Sequence, residues 1–213
     1  MNWIQKVAVK LFRISIPEPI SYYQQKIIVF ALAKAEYGKV VFVGDSITDA
    51  WSTTGLLPGN VLNYGIAGDT STGVLNRIEQ IVNAKPTKVL INIGINDLSF
   101  KNLSVVNNYK NIVDRLIQVL PPQNIICCAV RPVNYLLPTA KSIYSDNISI
   151  RALNQSILDI CNSTGCTFEP QTYTVHVTPF VPDEIMIVGH TIDGIHLSPL
   201  GYQMEYEVIK KYL

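Results

Sequence analysis

Residues 39–49 read KVVFVGDSITD, an apolar, β-branched run that breaks abruptly at Gly44-Asp45-Ser46. In open α/β sheets, ligands bind outside the carboxyl ends of the strands. A strand that stops on a Gly-Asp-Ser turn therefore presents one hydroxyl at the mouth of a sheet, and Ser46 is a candidate nucleophile. A serine hydroxyl is a weak nucleophile while protonated, so it needs a base, an orienting group and an oxyanion hole. Three further polar clusters occupy comparable places. Asn63-Tyr64-Gly65-Ile66-Ala67-Gly68-Asp69-Thr70 follows a second strand-like run, and Gly94-Ile95-Asn96-Asp97 follows a third. Asp193-Gly194-Ile195-His196 immediately precedes a C-terminal helix. In a doubly wound sheet such ends project from one edge, so residues far apart in sequence converge.

The elements that must position these clusters are legible as an alternation of strands and helices. Residues 21–37 (SYYQQKIIVFALAKAEY) read as a helix, with Gly38 where a C-cap residue belongs. Strands are expected over 39–44, 60–65, 87–94 and 124–130, with a short one at 165–168. Val74, Leu75, Ile78, Ile81 and Val82 place a helix over 72–83. Leu103, Val106, Tyr109, Ile112, Val113, Leu116 and Ile117 form an apolar stripe over 103–119, ended by Pro121 and Pro122. A further helix falls near 146–162, and the last begins at Ser198-Pro199, an N-cap followed by proline at N1. This is the pattern of a three-layer α/β/α fold with a flavodoxin-like five-stranded parallel sheet in the order 2-1-3-4-5. Residues 39–213 are expected to form one catalytic domain, with residues 1–38 a helical extension packed on it.

Composition narrows the function classes. The chain has 213 residues, a formal net charge of +1, 15% charged and 48% hydrophobic residues. It carries no basic footprint for nucleic acid, and a near-zero charge favours self-association, so a homodimer is compatible with it. No apolar run approaches the roughly 18 residues needed to span a bilayer, so stable membrane insertion is not expected. The N-terminal MNWIQKVAVKLFRISIPEP is interrupted by Lys6, Lys10 and Arg13, and reads as an amphipathic helix (Trp3, Ile4, Val7, Leu11) rather than a targeting peptide. Cys127 and Cys128 lie in the apolar run IICCAV and read as small buried hydrophobes. Cys161 and Cys166 could pair in an oxidising compartment, but reduced thiols and a cytoplasmic location are the expectation. With three histidines and no HxH, HExxH or CxxC spacing, no metal and no cofactor is expected. The glycine-rich AGDTSTG stretch lacks a Walker lysine and a G-x-G-x-x-G pattern, so a phosphate cradle is not expected either.

The four clusters together resemble the GDSL lipase/esterase family, also called SGNH hydrolases, whose blocks appear here in the family's order over roughly residues 39–203. GDS alone is a weak signal. GDS, GxxGDT, GxND and DxxH in order at strand ends are a strong one. The resemblance implies Ser46 as nucleophile, His196 as general base and Asp193 as the acid that orients it. It also implies an oxyanion hole from the amides of Ser46 and Gly68 and the side chain of Asn96. The chemistry agrees with these roles. An imidazole can accept the serine proton and return it to the leaving group, and a carboxylate on its other nitrogen sets the tautomer. The turn is not the G-x-S-x-G elbow of α/β-hydrolases, and its acid lies just before the histidine.

Taken singly, each residue has a plainer reading. Ser46 alone is a helix N-cap, Asn96 a turn residue, Gly68 loop punctuation and His196 a capping or core histidine. Asp45 and Asp97 read as turn-forming residues, and Thr70 and Ser71 as caps of the next helix. The implied activity is a carboxylic-ester hydrolase acting on a small-molecule or carbohydrate ester. The NYGIAGDTS form resembles the branch with platelet-activating-factor acetylhydrolase-like and acetylesterase-like members, which favours an acetyl group. O-acetyl transfer on the same triad, a lysophospholipid or thioester substrate, and a non-catalytic binding module are the competing readings. Specificity is expected from loops 50–60, 98–102, 131–145 and 170–192, with Tyr135, Leu136, Leu137, Tyr144, Phe180 and Met186 as candidate acyl-pocket residues.

Overall fold

A computed structural model of the chain describes residues 20–33, 38–144, 147–171, 175–178 and 181–213. The amphipathic helix expected over the first 19 residues and the pocket role given to Phe180 lie outside the described residues. Strands β1 (Val40–Gly44), β2 (Val61–Gly65), β3 (Lys88–Asn92), β4 (Ile125–Cys128) and β5 (Thr167–Glu169) form one parallel sheet in the order β2-β1-β3-β4-β5. β1 lies between β2 and β3 and every one of its residues is buried. Burial on both faces is why VVFVG reads as an uninterrupted apolar run rather than an alternating one.

Alternation along the strands divides the interior into two cores. Val41, Val43, Val89, Ile91, Ile125 and Cys127 face one side. They meet α3 (Ser71–Asn76), α4 (Ile78–Asn83), α5 (Ile95–Ser99), α6 (Val105–Leu116), α7 (Pro138–Lys141) and α8 (Ile148–Thr164), through residues such as Val74, Ile81, Ile95, Ile112, Ala140 and Ile157. Val40, Phe42, Leu90, Ile126 and Cys128 face the other. There they pack with Ile47 of α2 (Ser46–Ala50), Trp51, and Tyr202 and Ile209 of α9 (Pro199–Ile209). All four cysteines are free and buried.

Several expected elements differ in detail. The helix over 21–37 is observed as α1 (Tyr22–Leu32), opened by a capping box between Ser21 and Gln24 and closed at Ala33, whose backbone is extended. Gly38, with φ of +80°, turns the chain into β1 instead of capping that helix. α1 stacks Phe30 on Tyr64 of β2 with ring centroids 4.3 Å apart. The helix over 72–83 is two helices, α3 and α4, broken at Arg77, whose guanidinium turns inward to the Tyr64 carbonyl. Segment 170–192, expected as a loop, contains an antiparallel pair, β6 (Val175–Thr178) and β7 (Val181–Met186). Pro182 inside that run masks its strand character in the sequence. Among the described residues no helix is long and apolar enough to cross a membrane.

Gly44 joins the fold to the site. A Cβ there would stand 2.1 Å from Thr48 Oγ1 and 2.2 Å from the Asn92 carbonyl oxygen. Only glycine lets α2 fold back at once over the ends of β1 and β3, and that places Ser46 at the sheet's edge.

Candidate active site

Ser46 is the first residue of α2, and the cap of that helix is its neighbour: Asp45 Oδ1 accepts from the Ile47 amide at 3.0 Å. The Ser46 hydroxyl is thus not needed as a cap. It stands 3.0 Å from His196 Nε2, across 150 residues of sequence. His196 Nδ1 stands 2.7 Å from Asp193 Oδ2. The other oxygen of Asp193 accepts from the amides of Ile195 (2.9 Å) and His196 (2.8 Å), and Thr191 Oγ1 donates to the His196 carbonyl at 2.7 Å. One carboxylate therefore shapes the loop and holds the imidazole. Burial raises the Asp193 pKa, but the hydrogen bonds from the His196 side chain and from the His196 and Ile195 amides outweigh it and hold the carboxyl below its usual value.

The second cluster is a tight turn. The Asp69 amide donates to the Ile66 carbonyl at 3.0 Å, and Gly68 has φ of +80°. A type II turn requires this positive φ at its third residue, and glycine takes it without strain. A Cβ on Gly68 would meet nothing within 4 Å, so backbone conformation, not crowding, calls for glycine here. Asn96, in α5 (Ile95–Ser99), donates Nδ2–H to the Asp69 carbonyl at 2.9 Å, which keeps its second amide hydrogen for another acceptor. The Ser46 amide, in the first turn of its helix, has no intrahelical acceptor. Ser46, Gly68, Asn96, Asp193 and His196 are thus carried to one edge of the sheet by the ends of β1, β2 and β3 and by the loop before α9. A hydroxyl, an imidazole and a carboxylate in sequence can relay a proton, and free amide donors can receive a developing oxyanion.

Asp97 differs from its expected role. It accepts from the Ser71 amide (2.8 Å), the Ser71 hydroxyl (2.6 Å) and Asn102 (2.7 Å), tying α5 to the start of α3. Thr70 does cap α3, accepting from Gly73, whereas Ser71 spends its hydroxyl on Asp97.

Supporting groups emerge that sequence reasoning did not find. Asp69 and Arg77 form a buried ion pair, with Nε and Nη2 each 2.9 Å from Oδ2, and Arg77 Nη2 also donates to the Tyr64 carbonyl. Tyr23 donates to Asp69 at 3.3 Å. Asp49 accepts from the Ala67 amide (3.1 Å), from Tyr22 (2.6 Å) and from Lys26 (2.8 Å). α1 therefore holds the Gly68 turn from both sides. Breaking a buried pair leaves an uncompensated charge. Arg77→Met will therefore lower unfolding stability by about 3 kcal/mol, read as a reduced urea midpoint.

Beneath Ser46, Arg131 forms a buried ion pair with Glu205 of α9. Asn92, with its amide oxygen turned toward Arg131, accepts from both terminal nitrogens at 3.0 Å. Asp45 is 1% exposed, and burial pushes its carboxyl up to about 7 against the opposing pull of the Ile47 amide and Arg131. In the unfolded chain Asp45 ionises near its ordinary value, so between roughly pH 4 and 7 the folded state holds more protons. Its contribution to stability is full below that window and is lost as pH rises through it. Asp45→Asn keeps a capping oxygen and removes the titration. Relative to wild type, the variant will gain about 1.4 kcal/mol per pH unit across the window, measured by denaturant unfolding at fixed pH values.

The candidate acyl-pocket residues separate into two clefts. Leu136, Leu137 and Met186 line one of about 390 Å³, and Tyr135, Leu136 and Tyr144 line another of about 330 Å³ with Lys141. Among the described residues no group of three His, Cys, Asp or Glu side chains could hold a metal.

Residues 42–204 match the GDSL-like lipase/acylhydrolase family. The chain is 26% identical over 180 residues to the platelet-activating factor acetylhydrolase IB subunit alpha1 of Rattus norvegicus, covering 80% of this chain and 72% of that protein. Its fold superposes on a GDSL-like lipase from Bacteroides thetaiotaomicron with a TM-score of 0.76 at 23% identity, covering 89% of this chain and 95% of the other. A catalytic mutant of an acetylxylan esterase from Geobacillus stearothermophilus gives 0.59 at 18% identity, covering 84% and 95%. With the match extending over most of its length, from β1 into α9, this chain belongs to the GDSL-like lipase/acylhydrolase family and is a carboxylic-ester hydrolase.

Proposed function

We propose that the protein hydrolyses esters of short acyl groups, acetyl first, through an acyl-enzyme on Ser46. The observation that carries this reading is the unbroken relay Ser46 Oγ, His196, Asp193, with contacts of 3.0 and 2.7 Å. Ser46 Oγ attacks the ester carbonyl carbon while its proton passes to His196 Nε2, and Asp193 stabilises the imidazolium. The carbonyl oxygen, now an oxyanion, is received by the Ser46 and Gly68 amides and Asn96 Nδ2–H. Collapse breaks the bond to the alcohol oxygen, which takes the proton from His196. Water, deprotonated by the same imidazole, then attacks the acyl carbon and releases the acid and Ser46.

The names of the rat relative and the bacterial structural neighbour, an acetylhydrolase and an acetylxylan esterase, support a short acyl group. A fluorophosphonate probe will add to Ser46 with one-to-one stoichiometry by intact-mass analysis. kcat/KM will then fall from p-nitrophenyl acetate to butyrate to octanoate. Octanoate turned over faster than acetate would overturn the short-acyl reading, and acetylated sugar accumulating at the expense of acetic acid would redirect it to transfer.

A further inference from the structure

A groove of about 470 Å³ runs between the turn after α2 and the first turn of α9. We propose that it binds the alcohol portion of the ester, and that this portion is a neutral, largely hydrocarbon alcohol. The inference rests on the serine-esterase reading and adds to it the class of leaving group.

Position argues for the alcohol. Ala50, which lines the groove, is four residues after Ser46, hence one turn along the same face of α2. Leu197 lines it too and follows His196 directly. The groove therefore opens beside the residues that follow Ser46 by one helical turn and His196 by one position, with neither Ser46 nor His196 itself in its lining. Asp49, the next residue round the helix, is instead committed to the Ala67 amide and α1. The oxyanion donors Gly68 and Asn96 come from loops after β2 and β3 and contribute nothing to the groove's lining. When the tetrahedral intermediate collapses, the departing oxygen must lie within hydrogen-bond reach of His196 Nε2 to take its proton. Whatever is bonded to that oxygen therefore extends along the imidazole's flank, and the groove beside Leu197 is assigned to it.

Chemistry argues for the class. Leu56, Leu197 and Tyr202 form an apolar lining, and Ile192, 67% exposed, extends it to solvent. No charged side chain is among the described residues that line it. The hydroxyls of Thr53 and Thr54 already donate to the Ala50 and Trp51 carbonyls, so they offer methyls and lone pairs rather than protons. Its size is that of a small-molecule site, and such sites are mostly apolar with a few polar groups. A cationic or phosphorylated alcohol would lose solvation there without gaining a counter-charge.

The test holds the acyl group constant at acetyl and varies the alcohol: ethyl, butyl, hexyl and 2-phenylethyl acetate, with acetylcholine as the charged competitor. The expected result is kcat/KM rising roughly two- to fourfold per methylene from ethyl to hexyl, with acetylcholine no better than ethyl acetate. Ala50→Phe, and independently Gln203→Trp at the groove's exposed rim, will flatten that rise to within twofold. Both will leave the acetate-to-butyrate ratio of p-nitrophenyl esters unchanged. A flat alcohol series in an enzyme that is labelled by fluorophosphonate and hydrolyses p-nitrophenyl acetate overturns the groove assignment alone. So does a variant that changes the acyl ratio while keeping the alcohol series. Absence of both labelling and turnover removes the esterase reading, and the groove assignment with it.

Discussion

Ser46→Ala will reduce turnover of p-nitrophenyl acetate by about 10⁵- to 10⁶-fold, the loss seen when the nucleophile of a triad is removed. The expected effect is in kcat, because the hydroxyl contributes to bond making and not to holding the ester. Stability will hardly move. The Ser46 side chain contacts His196, whereas the cap of α2 comes from Asp45 Oδ1 and the close approach at Gly44 is to Thr48 and the Asn92 carbonyl. Removing a partly buried hydroxyl that is not a cap changes stability by about 1 kcal/mol or less. The paired measurement separates the two roles open to a serine after a strand. Lost activity with an unshifted thermal midpoint assigns it to chemistry, and a collapse of the midpoint assigns it to structure. Residual turnover within tenfold of wild type would place the reacting group elsewhere. Adding p-nitrophenyl acetate in excess and looking for a burst of one equivalent will show in the same assay whether the wild-type acyl-enzyme accumulates.

How much of this could be read from the chain depends on whether a contact is local. Strand β1 was legible because its five residues are buried on both faces and none is polar. The order of the sheet followed from the alternation of strands and helices, and the five motif residues from the resemblance of their four blocks to the family's. The Asp193 loop was legible too, because its contacts span only two or three residues. What stayed hidden is what pairs across the fold. Nothing in the residues around Arg77 says that it turns back to Asp69 and the Tyr64 carbonyl, breaking a helix that the apolar spacing makes continuous. Arg131 and Glu205 are 74 residues apart, and each alone reads as a solvated charge. Asp97 shows the limit most plainly. Its GxND setting suggests a turn, while its carboxylate spends both oxygens on Ser71, 26 residues back. The β6–β7 pair was hidden by its proline and by lying outside the parallel pattern.

Asp193→Asn will lower kcat by about 10⁴-fold, in line with amide replacement of a triad carboxylate, and leave KM within a few-fold. The argument runs through the tautomer of His196. In the wild type an ionised Asp193 faces Nδ1 at 2.7 Å, so the ring carries its proton on Nδ1 and Nε2 accepts from Ser46. An asparagine can keep its oxygen on the Ile195 and His196 amides, which preserves the loop, and that places its NH₂ against Nδ1. Nδ1 then accepts, the ring proton moves to Nε2, and Nε2 can no longer take the serine proton. Geometry survives and the base is lost. Asp193→Ala removes the loop's acceptor as well, so it will combine the activity loss with a lower thermal midpoint. Protonation provides an independent check. Because the Asp193 carboxyl is held below its usual value, its contribution to stability is present above that value and is lost as pH falls through the folded one. The stability difference between wild type and the asparagine variant will therefore shrink as pH falls below the ordinary carboxylate range. A variant with full activity, or one whose loss is entirely in KM, would leave His196 without need of Asp193 and break the proposed relay.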